Sequence, residues 1–218
     1  MKICVFGIGR FGTQLAIKLT ENGIDVIAID KDEDTIEEIK DKVSQALVIH
    51  SIDERTLRDL GIDEVKTVVI ALGRHFAESV LLTRILKKKL EIPTVIVRST
   101  GELRGEVLKL VGADQVVLPE LEAAALLADN LSSPFPHLNR IIDDFCTGQM
   151  IAPENFVGKT LNEIKLIENY NVCAIGIKRD EKMLLPKSDL TIVDGDIMYF
   201  SGNSHDLNDL TKMTYSHR

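Results

Sequence analysis

The sequence predicts an α/β protein in which a Rossmann-like, doubly wound parallel sheet is followed by a small α+β module. Two observations carry this prediction. Short runs rich in Val and Ile alternate with helical patterns six times over the first 130 residues, which is the arrangement of βαβ units with right-handed crossovers. A glycine-rich turn, Gly7-Ile8-Gly9-Arg10-Phe11-Gly12, joins the first such run to the first helical pattern.

Six strands are expected in the first part of the chain, each almost continuously apolar because parallel strands are covered on both faces. They are Lys2–Phe6, Val26–Asp30, Ala46–Ile49, Thr67–Ala71, Thr94–Arg98 and Gln115–Leu118. The helices expected between them are Phe11–Glu21, Asp34–Lys42, Glu54–Leu60, His75–Lys89 and Glu102–Val111.

A further helix is expected over Glu120–Leu131, with Pro119 in its first turn. Its apolar positions cover more than one stripe, so we expect it to face a partner as well as its own sheet. Ser132-Ser133-Pro134-Phe135-Pro136 then breaks the pattern and indicates a domain boundary. The predicted organisation is a nucleotide-binding domain over 1–133, a linker and crossover over 134–150, and a small module over 151–218.

The small module is expected to mix strands and helices. The pattern predicts strands Phe145–Ala152, Val172–Lys178 and Asp196–Ser201, a helix over Thr160–Glu168, and a short helix that begins near His205.

Composition limits the classes of function. The 218 residues include 26 Lys+Arg and 34 Asp+Glu, a formal charge of −8, whereas a general nucleic-acid binder needs a basic surface. The longest apolar run, 123–128, has six residues against the roughly 20 of a membrane helix, and the start of the chain does not read as a signal peptide. Cys4, Cys146 and Cys173 are expected to be buried, reduced thiols, so a cytoplasmic protein is predicted.

The glycine-rich turn is expected to hold a phosphate, the alternative being a purely structural tight turn. Gly7 allows the turn, Gly9 lets a phosphate approach the backbone, and Gly12 lets helix and strand pack closely. The helix N-terminus adds free N–H groups and partial positive charge. Asp30 would accept hydrogen bonds from ribose hydroxyls and repel a 2′-phosphate, or else cap the next helix. Lys31 either covers the adenosine or is solvated.

The carboxyl ends of the parallel strands meet at one crevice, which extends the predicted site. Arg10 in the turn adds a guanidinium that suits ADP or ATP, unless it is a plain surface arginine. Glu120 fits an anion site only if a divalent cation bridges it to the phosphates; otherwise it is an acid stabilised by a helix dipole. The remaining candidate binding residues are Ile8, Phe11, His50, Ser51, Ala71, Gly73, Arg74 and Arg98.

With these residues in place, the chain resembles the RCK (KTN, or TrkA-N plus TrkA-C) family. The resemblance rests on the GIGRFG turn, Asp30, Ala71-Leu72-Gly73 and Leu118-Pro119-Glu120. The second segment is similar to a TrkA-C module through Gly158-Lys159-Thr160-Leu161, Tyr170-Asn171-Val172, Ala174-Ile175-Gly176-Ile177-Lys178-Arg179, Pro186 and Gly195-Asp196. The resemblance implies a cytosolic, non-enzymatic regulatory subunit at the inner face of the cell membrane, beneath the potassium-translocating subunit of a Trk/Ktr-type uptake system.

The resemblance also implies ligands and an assembly. ATP, ADP or NAD(H) would bind the glycine-rich turn of paired subunits, commonly in an octameric ring. Arg10 would contact terminal phosphates near the subunit boundary, and Glu120, with Mg²⁺ or Ca²⁺, would approach a neighbour's nucleotide. Family members often have Asp or Asn followed by Ala-Thr after strand three, where this chain has His50-Ser51-Ile52. Some TrkA-C modules bind cyclic di-AMP and have Arg where this chain has Ile167.

Two other functions fit the same turn and Asp30. One is an NAD-dependent oxidoreductase, although the module after the boundary is small and has no evident acid/base pair. The other is a free-standing nucleotide sensor with no membrane partner. Binding of ATP or ADP relative to NADH, and any hydride turnover, would separate the first from a regulatory subunit.

Overall fold

The computed structural model describes residues 1–132, 135 and 137–215. Contacts divide the chain into two units, Met1–Leu121 and Glu122–Arg218. Ser133, Pro134 and Pro136 of the predicted boundary lie outside the described residues, so the predicted domain limits stay a prediction. In the described part of the chain, no helix has both the length and the apolar character that crossing a membrane requires.

The first unit is built on a six-stranded parallel sheet, as predicted. Its strands are β1 (Lys2–Phe6), β2 (Asp25–Asp30), β3 (Gln45–Val48), β4 (Thr67–Ile70), β5 (Thr94–Arg98) and β6 (Gln115–Val117). The strand order is β3-β2-β1-β4-β5-β6, so the direction of winding reverses between β1 and β4. Such a reversal opens a crevice at the carboxyl ends of these two central strands.

Helices cover both faces of this sheet. They are α1 (Arg10–Glu21), α2 (Glu33–Ile39), α3 (Glu54–Asp59), α4 (Phe76–Lys88) and α5 (Glu102–Val111), with α6 (Pro119–Ser132) leading out of the unit. Along β1, Cys4 and Phe6 pack into one core while Ile3 and Val5 pack into another, which places a core on each side. The continuous apolar strands therefore arise because both faces are buried.

The second unit contains a five-stranded antiparallel sheet in the order β10-β9-β11-β8-β7. Its strands are β7 (Asn139–Ile142), β8 (Phe145–Ile151), β9 (Cys173–Arg179), β10 (Lys182–Leu184) and β11 (Ile197–Asn203). Its helices are α7 (Leu161–Ile164), α8 (Leu166–Tyr170) and α9 (Ser204–Tyr215). No sequence pattern had indicated β7 or β10, and β7 and most of β8 lie in the segment expected to be a linker and crossover.

Two local expectations in this unit were wrong. The single helix expected over Thr160–Glu168 is two helices, because Lys165 adopts a left-handed conformation with φ of 52° and ends α7. Cys173 is exposed although all three cysteines were expected to be buried. It lies at the start of β9, where alternate residues point away from the core.

Candidate functional site

A cleft of about 570 Å³ lies at the carboxyl ends of the central strands of the first unit. Most of the predicted site residues line it: Gly7, Gly9, Asp30, Lys31, His50, Ala71, Gly73, Arg74 and Arg98. The other predicted residues, Ile8, Arg10, Phe11, Gly12, Ser51 and Glu120, are not among its lining residues. The turn and the strand ends are thus brought together as expected, while Arg10 is an exposed residue outside the cleft of its own chain.

The glycine-rich turn has the backbone geometry that the spacing predicts. Gly7 has a φ of 89°, and its N–H donates to the carbonyl of Ile29 at 2.8 Å. A Cβ on Gly12 would lie 1.9 Å from the carbonyl oxygen of Gly7, so only glycine allows α1 to approach β1 this closely. A Cβ on Gly9 would meet nothing within 4 Å, because Gly9 opens onto the cleft.

The N-terminus of α1 is available to an anion. Gly9 is its N-cap residue, no side chain caps the helix, and the first turn contains no acidic residue. The Thr13 hydroxyl donates to the carbonyl of Ile8 at 3.0 Å, which holds the turn against the helix. The start of a helix carries partial positive charge, and the turn can therefore bind a phosphate group.

Asp30 fixes the turn. Its carboxylate accepts backbone N–H groups from Ile8 at 2.6 Å, Lys31 at 2.7 Å and Asp32 at 3.1 Å. The alternative role of capping α2 was wrong, because Asp32 is the N-cap and accepts from Thr35. Within the described chain, Oδ2 of Asp30 accepts only the Ile8 N–H, so it keeps a lone pair for a hydroxyl donor in the cleft.

Arg98 carries the most unusual feature of the cleft. Its side chain is 18% exposed, lies over the ring of Phe11 at 5.7 Å, and forms an ion pair through Nη2 with Glu120. Gly73 has a φ of 35°, a backbone conformation that favours glycine, and a Cβ there would lie 2.4 Å from Nη1 of Arg98. Among the described residues, Arg98 Nε is the one buried side-chain nitrogen or oxygen without a hydrogen-bond partner. Leaving a buried donor unsatisfied costs about 1–3 kcal/mol.

Glu120 lies in the first turn of α6 with its side chain 67% exposed. Its own backbone N–H and the Arg98 guanidinium hold the pKa of Glu120 below its usual range. No group of three or more His, Cys, Asp or Glu residues is positioned to hold a metal ion in the part of the chain that the structure describes. The predicted bridging role of Glu120 therefore stays a prediction.

The cleft also has four apolar lining residues that the sequence analysis did not identify, termed the apolar wall. They are Ile49, Ile52, Leu72 and Leu81, next to Lys31, His75 and Glu78. Glu78 Oε1 lies 3.2 Å from His75 Nδ1 and 3.9 Å from Lys31 Nζ. The spacing of His75, Glu78 and Leu81, three residues apart on one helix, could have indicated this wall. Ser51 instead hydrogen-bonds the Asp53 side chain, which caps α3.

A smaller pocket of about 270 Å³ lies in the second unit, the part of the chain in which the resemblance implies a cyclic di-AMP site. Ile167 and Lys165 are among the residues that line it. Ile167 is 65% exposed, so the position where the resemblance expects an arginine is an apolar surface residue. Binding of cyclic di-AMP stays a prediction.

Known proteins match this chain over nearly its whole length. The family models of the TrkA-N domain and the TrkA-C domain match residues 3–119 and 150–214. The chain is 30% identical to Ktr system potassium uptake protein C of Bacillus subtilis (strain 168), covering 97% of this chain and 96% of that protein. It is 29% identical to Ktr system potassium uptake protein A of Vibrio alginolyticus, covering 92% of each.

Solved structures support the fold. The GsuK RCK domain matches 98% of this chain and 47% of its own with a TM-score of 0.66 and 18% identity. This chain thus spans less than half of that one. Because two family models match in order and the Bacillus relative is 30% identical over almost the full length, the chain belongs to the TrkA-N plus TrkA-C, or RCK, family.

Proposed function

We propose that this chain is the nucleotide-binding regulatory subunit of a potassium uptake system. The observation that carries the proposal is the cleft, in which the uncapped start of α1 offers donors to an anion and the lining residue Arg98 adds a positive charge. The names of the full-length relatives, Ktr system potassium uptake proteins C and A, supply the process that the ligand would regulate.

The proposed ligand is an adenine nucleotide: ATP, ADP or NAD(H). Its phosphates would lie on the glycine-rich turn, its ribose hydroxyls would donate to Asp30 Oδ2, and its base would pack on the apolar wall. The Asp30 carboxylate would repel a 2′-phosphate, so NADP is disfavoured. Mg²⁺ or Ca²⁺ would require a phosphate oxygen or a second subunit to complete the ligands that Glu120 begins.

The proposed assembly is a homo-oligomer, with an octameric ring as the expected form, at the inner face of the membrane beneath a potassium-translocating subunit. The support for this assembly is helix α6, which buries none of its residues. Its apolar residues Leu127 and Leu131 are 60% and 79% exposed. Packing this helix on a second copy would remove that apolar surface from water. No covalent chemistry is proposed, because a nucleotide that binds two ring conformations with different affinity shifts the gate by itself.

The test is a calorimetric titration of the full chain with ATP, ADP and NADH, with and without Mg²⁺ or Ca²⁺. We expect binding of at least one nucleotide and a nucleotide-dependent potassium flux when the chain is reconstituted with its membrane subunit in vesicles. An Arg10→Ala protein should lose the discrimination between ATP and ADP. Absence of binding by all three nucleotides would contradict the proposal, and hydride turnover with NADH would favour the oxidoreductase.

A further inference from the structure

Two arginine–carboxylate pairs in this chain differ in how the arginine is used. The Nε–H and one Nη–H of a guanidinium lie along the same edge and can bind both oxygens of an anion. In the second unit, Arg179 uses this edge fully, because Nε donates to Asp196 Oδ1 and Nη2 to Asp196 Oδ2, each at 2.8 Å. In the cleft, Arg98 gives Glu120 only Nη2, and its Nε has no partner.

The surroundings of Arg98 keep its guanidinium in place independently of Glu120. The ring of Phe11 lies against it, and the missing side chain at Gly73 makes room for Nη1. Glu120, by contrast, is 67% exposed at the start of α6. An exposed carboxylate bound by one donor is held weakly, since such pairs contribute little once water competes for both charges. Arg98 is therefore the fixed member of the pair, and Glu120 is the exchangeable one.

We propose that Glu120 is an internal competitor for the phosphate of the ligand. Glu120 occupies Nη2 of Arg98 in this structure, and a terminal phosphate displaces it by binding Nε and Nη2 together. The inference rests on the proposed function, because it assumes that an anionic nucleotide enters the cleft. Glu120 thereby affects the affinity for phosphates and determines which nucleotides form a contact with Arg98.

The ligand class follows from charge and geometry. A terminal phosphate, as in ADP or ATP, carries up to two negative charges and three free oxygens, so it can bind both donors of one arginine edge. Each phosphate of a dinucleotide is an internal diester with a single charge and two free oxygens, and the start of α1 already offers donors to a pyrophosphate. ADP and ATP are therefore the ligands expected to displace Glu120, whereas NADH is expected to leave the pair intact.

The experiment compares ADP and NADH binding to the full chain and to Glu120→Gln by calorimetry. EDTA in the buffer removes any divalent cation, so the predicted cation role of Glu120 cannot contribute. We expect Glu120→Gln to bind ADP about three- to fivefold more tightly, the effect of removing one exposed ionic competitor, with NADH affinity unchanged. Glu106→Gln, an exposed substitution on α5 outside the cleft, is the matched control and should change neither affinity.

Two further outcomes complete the test. Arg98→Gln should weaken ADP binding at least tenfold while NADH binding changes little, because one hydrogen-bonded charge is lost only for ADP. Unchanged or weaker ADP binding by a folded Glu120→Gln protein would overturn the proposal, and so would an equal gain for NADH. If the parent chain binds none of the nucleotides, the proposed function fails instead, so the two failures are distinguishable.

Discussion

Replacing Gly12 by alanine should reduce stability, whereas replacing Gly9, which opens onto the cleft, should mainly reduce ligand binding. A Cβ on Gly12 would lie 1.9 Å from the Gly7 carbonyl oxygen, whereas ordinary contact begins near 3.4 Å. Helix α1 would have to move away from β1 by about 1.5 Å, the difference between those two distances. That movement disturbs the Thr13–Ile8 hydrogen bond and the packing of the fully buried Ala16.

The expected cost follows from these contacts. Forcing one extra methyl group into a packed interface costs about 1–3 kcal/mol, and a strained hydrogen bond adds about 1 kcal/mol. Alanine inside a helix recovers roughly 0.5–1 kcal/mol relative to glycine. Gly12→Ala should therefore destabilise the chain by about 1–3.5 kcal/mol, which corresponds to a fall in the unfolding temperature of roughly 2–14 °C for a chain of this size.

Gly9→Ala is the matched substitution, because a Cβ there meets nothing within 4 Å. Its unfolding temperature should stay within a few degrees of the parent, since a changed N-cap costs about 1 kcal/mol or less. Its affinity for ADP should fall, because the methyl group enters the cleft where a phosphate would approach the backbone. Thermal unfolding followed by circular dichroism, together with calorimetric titration, measures both effects. Equal unfolding temperatures for Gly12→Ala and the parent would refute the close approach of α1 to β1.

Three more substitutions test other parts of the structure. Asp196→Asn should destabilise the second unit by about 3 kcal/mol, because Arg179 then lacks its buried partner, while Asp194→Asn in the same turn should have little effect. Burial raises the pKa of Asp196, but Arg179 and a backbone N–H outweigh this effect and keep the pKa below the ordinary 3.8. The stability that the pair contributes should therefore be present above a pH of about 4 and be lost as the pH falls below that value. Urea unfolding across this pH range should show the loss in the parent and not in Asp196→Asn. Leu127→Glu on α6 should shift the protein toward monomers in light scattering, and an unchanged mass would contradict packing of α6 on a second copy. Asp30→Ala should weaken nucleotide binding at least tenfold in calorimetry, since the turn loses the acceptor of the Ile8 N–H and the ribose loses its partner.

The sheet of the first unit was predictable because its strands are buried on both faces. Strands Lys2–Phe6 and Thr94–Arg98 have the predicted limits, and the ends of the other four differ by no more than one residue. The short strands β7 and β10 were missed for the opposite reason. All four residues of β7 are exposed, so no alternation of apolar and polar residues marks the strand, and pairing with β8 defines it. The break at Lys165 was missed because lysine carries none of the signals that glycine gives for a left-handed residue.

The site was predictable where local backbone decides it and not where distant side chains meet. Gly7 and Gly12 have the roles that their spacing indicates, because a tight turn between strand and helix requires them. The pairing of Arg98 with Glu120 joins residues 22 positions apart on different elements, and only the fold brings them together. The apolar wall likewise draws on separate elements, with Ile49 following β3 and Leu81 lying on α4. Sequence reasoning predicts phosphate binding at this crevice, but it could not predict that Arg98 pairs with Glu120 through Nη2 alone.

The position of Glu120 suggests how a ligand in the cleft would be sensed elsewhere. Glu120 belongs to α6, and the same helix exposes Leu127 and Leu131 without burying any residue. If a phosphate displaces Glu120 from Arg98, α6 loses its ion pair with Arg98. This helix is the one proposed to pack on a second copy of the chain. Because coupling between two binding equilibria is reciprocal, assembly through α6 must then alter the affinity for ADP by the same factor by which ADP alters assembly. The affinity for ADP should consequently depend on protein concentration in the parent, and this dependence should weaken in Glu120→Gln.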